Sequence, residues 1–294
     1  MISEKGRWSR LRLRLLFTGP TLFAFATVMI VPFLYGIYLT FTDWDGISTT
    51  STMVGFENYA SVWKDAVFWK SFYLTLKYVF ISVALVNVVA FLLAYFLSSG
   101  LKGQSFFRAG FFIPNLVGGI VLGFVWQFIF SNVLVSIGQK AGISVFGTSW
   151  LADPDKAFLA LIIVTVWQYA GYMMVIYVAG LMNVPKDIME AASIDGATAF
   201  RKLRTMILPL MVPSFIVCVF LSLQRTFMVY DLNLTLTKGG PFKSTEMVSM
   251  HVYEKAFLSR DYGVGQAEAL VLFLLVAGIT LLQVYFSKKL EVEA

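Results

Sequence analysis

Cysteine and histidine are almost missing from this chain: 294 residues contain one of each, Cys218 and His251. A single thiol excludes an intramolecular disulfide and a cysteine metal cluster. A single imidazole excludes a His-rich metal site and speaks against a Ser-His triad. Charge is scarce too, at 14% Asp, Glu, Lys and Arg, where soluble domains carry about 25%. No Gly-x4-Gly-Lys-Ser/Thr string occurs, so the chain does not cradle nucleotide phosphates by that loop. The long apolar runs hold no Asp, Glu or His, residues that ion-coupled carriers place within their spans. That argues against a cation-driven carrier, although backbone carbonyls also bind Na⁺.

What fills the chain is apolar. Hydrophobic residues make up 58%, and the mean hydropathy is +0.76. This composition excludes a disordered chain, a coiled coil and an ordinary soluble enzyme, and it predicts an all-α polytopic membrane protein. A helix needs about 20 apolar residues to cross the hydrocarbon. Uncharged runs occupy 15–42, 78–101, 109–139, 157–185, 205–224 and 269–287. They predict six membrane spans, at about 15–41, 73–101, 109–133, 157–182, 205–229 and 267–287, within one membrane domain over 1–294. The first run has a basic front and an Ala24-Phe25-Ala26 string that fits a signal peptidase site. Its apolar stretch continues to Phe41, so a cut there would fall inside the bilayer, and the expectation is an uncleaved span.

The net charge of +6 is read by position, not as a sign of nucleic-acid binding. Basic residues crowd the N-terminus (Lys5, Arg7, Arg10, Arg12, Arg14), the 102–108 link, the 186–204 link and Lys288-Lys289. The positive-inside rule then puts both termini in the cytoplasm. The link after span five, with equal numbers of basic and acidic residues, gives no bias.

The segment 185–204 is the most informative. It reads as two short helices around a glycine. Pro185 suits a first helical turn, Asp187 the positive end of a helix dipole, and Gly196 a left-handed helix stop. Thr198 suits the next cap. Ile188, Ala191 and Ala192 share a face, and Pro209 fits where the second helix meets the membrane span. On composition alone, an amphipathic helix on the lipid surface and a docking element serve equally well. The string itself is Glu190-Ala191-Ala192, three residues, Gly196, nine residues, Met206, one residue, Leu208-Pro209. It resembles the EAA loop of binding-protein-dependent ABC importer permeases, with Met206 where that pattern has isoleucine. Further stretches resemble the carbohydrate branch of that family: Trp150-Leu151-Ala152-Asp153-Pro154, Trp167 before Gly171-Tyr172, Asp195-Gly196-Ala197, and Phe56-Glu57-Asn58-Tyr59. Leu236-Thr237-Lys238-Gly239-Gly240-Pro241 with Ser244-Thr245-Glu246 does so too. The resemblance covers about 15–287; the stretch 131–142 lacks the Gly-x-Asn of many relatives.

The resemblance implies a membrane subunit of an ATP-driven importer in the cytoplasmic membrane, carrying a sugar, an oligosaccharide in that branch. It implies four kinds of partner besides lipid: a second permease subunit, two ATPase subunits, an extracytoplasmic solute-binding protein and the sugar. The chain itself would be no enzyme and hold no cofactor, with ATP on the partner. Glu190, Ala191, Ala192 and Gly196 would be the coupling residues, Glu190 meeting a basic group of the ATPase.

A solute path is expected where polar side chains share a helical face. Thr165, Gln168, Tyr169 and Tyr172 do so in span four. Ser222, Arg225, Thr226 and Val229 do so near the end of span five. Tyrosine with Gln, Ser and Thr suits a sugar, which has apolar C–H faces and many hydroxyls, and the resemblance to maltose-type permeases implies that both stretches contact sugar. The alternative is that these groups bond one another between packed helices and that Arg225 snorkels to the interface. If Arg225 faces the path, an anionic group such as a sugar phosphate is favoured. Gly119 and Gly123 predict close helix packing; Pro32 and Pro114 predict kinks; Cys218 predicts packing. His251 is expected in an external loop without chemistry. A self-contained secondary carrier or channel remains the rival reading. An intramembrane enzyme has no nucleophile–base pair to support it.

Overall fold

A computed structural model describes residues 4–100 and 102–289. The expected end of span two at Leu101, and residues 1–3 and 290–294 of the expected domain, lie outside the described residues. The chain is a succession of helices: α1 (Glu4–Phe25), α2 (Val31–Leu39), α3 (Glu57–Lys64), α4 (Ala66–Leu97), α5 (Gln104–Phe112), α6 (Gly119–Phe128), α7 (Leu134–Ala141), α8 (Pro154–Met182), α9 (Lys186–Ile194), α10 (Ala199–Lys202), α11 (Leu208–Leu210), α12 (Val212–Phe227), α13 (Asp231–Leu236), α14 (Val248–Tyr253) and α15 (Tyr262–Lys288). Five stretches are long and apolar enough to span a bilayer: Arg12–Leu39, Ala66–Leu97, Gly119–Ala141, Pro154–Met182 and Tyr262–Lys288. A sixth is a bent pair, Ala199–Leu210 with Val212–Phe227, at 68°. The all-α, multi-pass architecture agrees with the sequence.

Three boundaries differ from expectation, each for a local reason. Span three was expected to start at residue 109. Instead α5 ends at Phe112, and the spanning helix begins at Gly119 after a 3₁₀ turn, Ile113–Leu116. Pro114 lacks an N–H and clashes with the preceding turn, so the helix breaks there. Span five is broken at Met211, between Pro209 and Pro213, and does not run straight through 205–229. Glu268, expected outside the last apolar run, is fully buried in the second turn of α15. A spanning helix thus does hold a carboxylate, and a lack of span carboxylates does not exclude an ion-coupled carrier here. By contrast α8 starts where the sequence says: Asp153 caps it, its Oδ1 accepting from the amides of Asp155 and Lys156 at 3.0 Å each, with Pro154 in the first turn.

The chain divides into two compact units. One comprises residues 1–65 and 252–271. In its first spanning stretch, Arg12–Leu39, little is buried, and Leu16, Phe17, Phe23 and Val28 are all exposed, as lipid-facing residues are. Beyond it, Asn58 Nδ2 donates to the carbonyls of Thr40 and Thr42, at 2.9 and 2.8 Å, pinning the link after the first span to α3. Asp45 accepts from the amides of Ile47 and Ser48 and from the Ser48 hydroxyl. Those bonds hold its carboxyl down at about 2.

The other unit, residues 66–251 and 272–294, contains the packed bundle. Here α4, α8 and α12 pack together around Val86, Ala90, Met173, Met174, Tyr177 and Cys218, all buried. A buried polar chain crosses these three helices. The Tyr177 hydroxyl donates to Asn87 Oδ1 at 2.6 Å, Asn87 Nδ2 donates to Ser222 Oγ at 2.9 Å, and Ser222 Oγ donates to the Cys218 carbonyl at 2.7 Å. Gly119 and Gly123 pack against α13 as expected; a Cβ on Gly123 would overlap the Thr235 side chain.

The link after α13 is a hydrogen-bonded knot. Asn233 Nδ2 donates to the Thr245 carbonyl at 2.7 Å, the Met247 amide donates to Asn233 Oδ1 at 3.1 Å, and Thr245 Oγ1 donates to the Gly240 carbonyl at 2.6 Å. His251, expected to be an idle loop residue, is instead buried, its Nδ1 3.1 Å from Glu246 Oε1; Lys243 reaches Oε2 at 3.0 Å. The His251 hydrogen bond, aided by Lys243 and opposed by burial, lowers the Glu246 carboxyl below its ordinary 4.5. A depressed carboxylate contributes stability that is complete above the unfolded value and lost as pH falls through the folded one. Melting of the purified chain should therefore fall off below about pH 4.5, and Glu246→Gln should flatten that acid limb while lowering Tm at pH 7. An unchanged acid limb would contradict this.

Candidate functional site

Two places in the second unit combine special backbone with polar side chains. The first is the elbow between α8 and α12. Helix α9 is preceded by Pro185 at the cap position, one residue earlier than expected, with Asp187 in its first turn. It ends in two nested bonds: Gly196 N–H to the Ser193 carbonyl at 3.1 Å, and Ala197 N–H to the Ala192 carbonyl at 2.9 Å. Gly196 sits at φ +74°, so this is a left-handed helix stop of the kind the glycine predicts. Thr198 then caps α10, its Oγ1 accepting from the Arg201 amide at 3.3 Å. Ala192 is buried, whereas Ile188, Glu190 and Ala191 are exposed. Ile194 is 87% exposed. The elbow thus presents exposed apolar side chains, Ile188 and Ile194, among three exposed carboxylates, Asp187, Glu190 and Asp195. A π-helical turn, Leu203–Ile207, then α11, and then the bend at Met211 connect it to α12.

The second place lies where the spanning helices meet the irregular segment 113–118. Backbone that leaves a helix at membrane depth has to be satisfied by protein or to line a cavity. Gln168, buried on α8, donates its amide to the Val117 carbonyl at 3.1 Å. Arg225 on α12 donates from Nη1 to Asn115 Oδ1 at 2.6 Å. Its guanidinium lies over two rings of α8, with Cζ 4.6 Å from the centroid of Tyr172 and 5.0 Å from that of Tyr169. This cage joins α5–α6, α8 and α12 just past the middle of α8. The Arg225 guanidinium is thus held between an amide and two aromatic faces of neighbouring helices.

The polar faces read from sequence thus split in two. Tyr169, Tyr172 and Arg225 come together and stay partly accessible. Thr165, Ser222 and Thr226 do not open onto this space: all three are fully buried. Thr165 Oγ1 is 2.5 Å from the Tyr78 hydroxyl, Ser222 belongs to the Asn87 chain, and the Thr226 hydroxyl donates to the Ser222 carbonyl at 2.8 Å. Sharing a helical face with a path residue does not distinguish a group facing solute from one bonding a neighbouring helix, and here packing takes those three. Val229 is buried as well. Asn115 was missed by sequence reading. Its signal is the residue after Pro114, where a broken span turns side chains inward. An apolar groove of about 830 Å³ lies nearby, lined by Leu85, Val89, Phe111, Val166 and Trp167.

The family described as "Binding-protein-dependent transport system inner membrane component" matches residues 86–292. A probable starch degradation products transport system permease protein of Thermoanaerobacterium thermosulfurigenes is 40% identical over 278 residues, covering 95% of this chain and 94% of that one. A multiple sugar-binding transport system permease protein of Streptococcus mutans is 33% identical over 261 residues, covering 89% and 90%. Among solved structures, a chain of a bacterial alginate ABC transporter in complex with an alginate pentasaccharide-bound periplasmic protein superimposes with a TM-score of 0.83. It is 17% identical and covers 96% of this chain and 97% of that one, a likeness of fold.

Proposed function

Because the chain belongs to the family of binding-protein-dependent transport system inner membrane components, we propose that it is one of two membrane subunits of an ATP-driven oligosaccharide importer in the cytoplasmic membrane, with both termini and the 185–204 elbow in the cytoplasm. The observation that carries this reading is the elbow itself. A capped two-helix turn with exposed apolar side chains among carboxylates suits docking on another protein, and it is tied directly to the two helices that hold the Arg225 cage. The relatives named for starch degradation products and multiple sugars support a sugar cargo.

In this account two ATPase subunits bind the elbows of this chain and of a second permease subunit, and ATP hydrolysis takes place on them. Glu190, Ala191, Ala192 and Gly196 form the coupling surface: Glu190 pairs with a basic group, Ala191 allows close approach, Ala192 anchors α9 to its own bundle, and Gly196 fixes the angle. An extracytoplasmic binding protein delivers the sugar to the opposite face. When the ATPases close, α9 moves as a lever, and α8 and α12 shift as rigid bodies. The cage spans those two helices, so their relative motion opens or closes it.

The test is uptake into proteoliposomes holding the complete complex. Accumulation of a maltooligosaccharide series that requires ATP, the ATPase and the binding protein supports the reading. Transport by this chain alone, without ATP, would make it a self-contained carrier or channel and overturn it.

A further inference from the structure

Arg225 is an unusual residue for its position. A permanent cation in a spanning segment is costly, and such residues are ordinarily paired or face a solute path. Among the described residues no carboxylate forms an ion pair with Arg225. Its polar partner is the neutral Asn115, through Nη1. Tyr169 and Tyr172 cover the guanidinium face. The Nε and Nη2 groups make no hydrogen bond among the described residues, and they are not sealed from the surroundings. Asp231, on the neighbouring α13, is exposed and forms no ion pair with it.

We propose that Arg225, framed by Asn115, Tyr169 and Tyr172, is a subsite for a sugar carboxylate, so that the imported oligosaccharide carries uronate residues. This rests on the importer reading above and deepens it. The faces of the guanidinium are taken by aromatic rings, and what remains is its edge. The Nε–Nη2 edge of an arginine matches the two oxygens of a carboxylate in a bidentate fork. The charge count favours a carboxylate over a phosphate. Asp231, close enough for its charge to act on Tyr169, offsets part of the Arg225 charge, so the cage tolerates a monoanion far better than a phosphate monoester, which carries about −1.5 to −2 near pH 7 and meets no second base there. The tyrosines also supply flat surfaces for the C–H face of the sugar ring that bears the carboxylate.

The test is ATP-driven uptake by the complete complex in proteoliposomes of three probes: trigalacturonate, the same trisaccharide with its carboxyls reduced to alcohols, and glucose 1-phosphate. Each is measured for the unaltered chain, Arg225→Gln and Arg225→Lys, with copurification of all subunits as the control for assembly. The expected result is preference for trigalacturonate by about tenfold or more. Arg225→Gln should abolish that preference by slowing trigalacturonate far more than the neutral trisaccharide, and Arg225→Lys should keep part of it. ATP-driven uptake in which the neutral probe or the phosphate is preferred, or in which Arg225→Gln leaves the ratios unchanged, overturns the carboxylate assignment and leaves the importer reading standing. Uptake of every probe without ATP overturns the importer reading itself.

Discussion

Gly196→Pro is expected to abolish ATP-driven uptake while the chain remains in the membrane. The native backbone there sits at φ +74°, and proline is locked near −65°. Its ring also removes the amide that donates to Ser193. Proline in a position it cannot occupy costs about 3 kcal/mol or more, which is about a hundredfold in the population of the native turn. With the turn opened, α9 no longer presents Ile188, Glu190 and Ala191 as one surface. Gly196→Ala keeps the amide and pays only the left-handed strain of an L-residue, about 1–2 kcal/mol, so it should retain partial uptake. Assembly measured by copurification with the ATPase separates a lost docking surface from a misfolded chain. Normal uptake by Gly196→Pro would remove the elbow from the mechanism.

The second large effect is expected inside the membrane, at Gly171. A Cβ there would collide with the backbone carbonyl of Phe111, next to the amide of Phe112. These are main-chain atoms of α5, which no rotamer change moves aside, so α5 itself has to retreat from α8. Overpacking of this kind costs about 1–3 kcal/mol even for one methyl group. Retreat of α5 carries the 113–118 segment with it and pulls Asn115 from Arg225 and the Val117 carbonyl from Gln168. Gly171→Ala should therefore lower the Tm of the detergent-purified chain and slow uptake together. Gly110→Ala on the same α5 has open space around its Cβ and should do neither. A Gly171→Ala variant with unaltered Tm and uptake would show that this contact does not hold the cage.

Much of this was legible in the residues. The apolar runs located the spanning helices, because a charge at membrane depth is expensive wherever the chain folds. The elbow was legible because its signals are local: a cap at Thr198, a stop at Gly196, an acid in the first turn at Asp187. Each acts over three or four residues and needs no tertiary context. The broken start of span three was less so. Its run of apolar residues is continuous through Ile113, and hydropathy does not register that Pro114 interrupts a hydrogen-bond ladder. The polar faces were half legible. Period and polarity placed Thr165, Ser222 and Thr226 with Tyr169, Tyr172 and Arg225, but only the arrangement of α4, α8 and α12 decides which of them meet a neighbouring helix. His251 was misread because the Asn233 knot and the packing of α14 bring its imidazole and the Glu246 carboxylate into one buried pair.

The central claim is that the exposed surface of α9 is where an ATP-hydrolysing partner pushes. Cys218, the chain's one cysteine, is buried, so a cysteine introduced on α9 is readily distinguished from it. Site-specific cross-linking from Glu190→Cys in intact membranes, with Tyr285→Cys on the exposed face of α15 as control, tests the claim directly. The account predicts a covalent adduct between position 190 and a nucleotide-hydrolysing subunit, with a yield that changes when ATP is added, and none from position 285. An adduct pattern equal at both positions, or one lacking any nucleotide hydrolase at position 190, would contradict it.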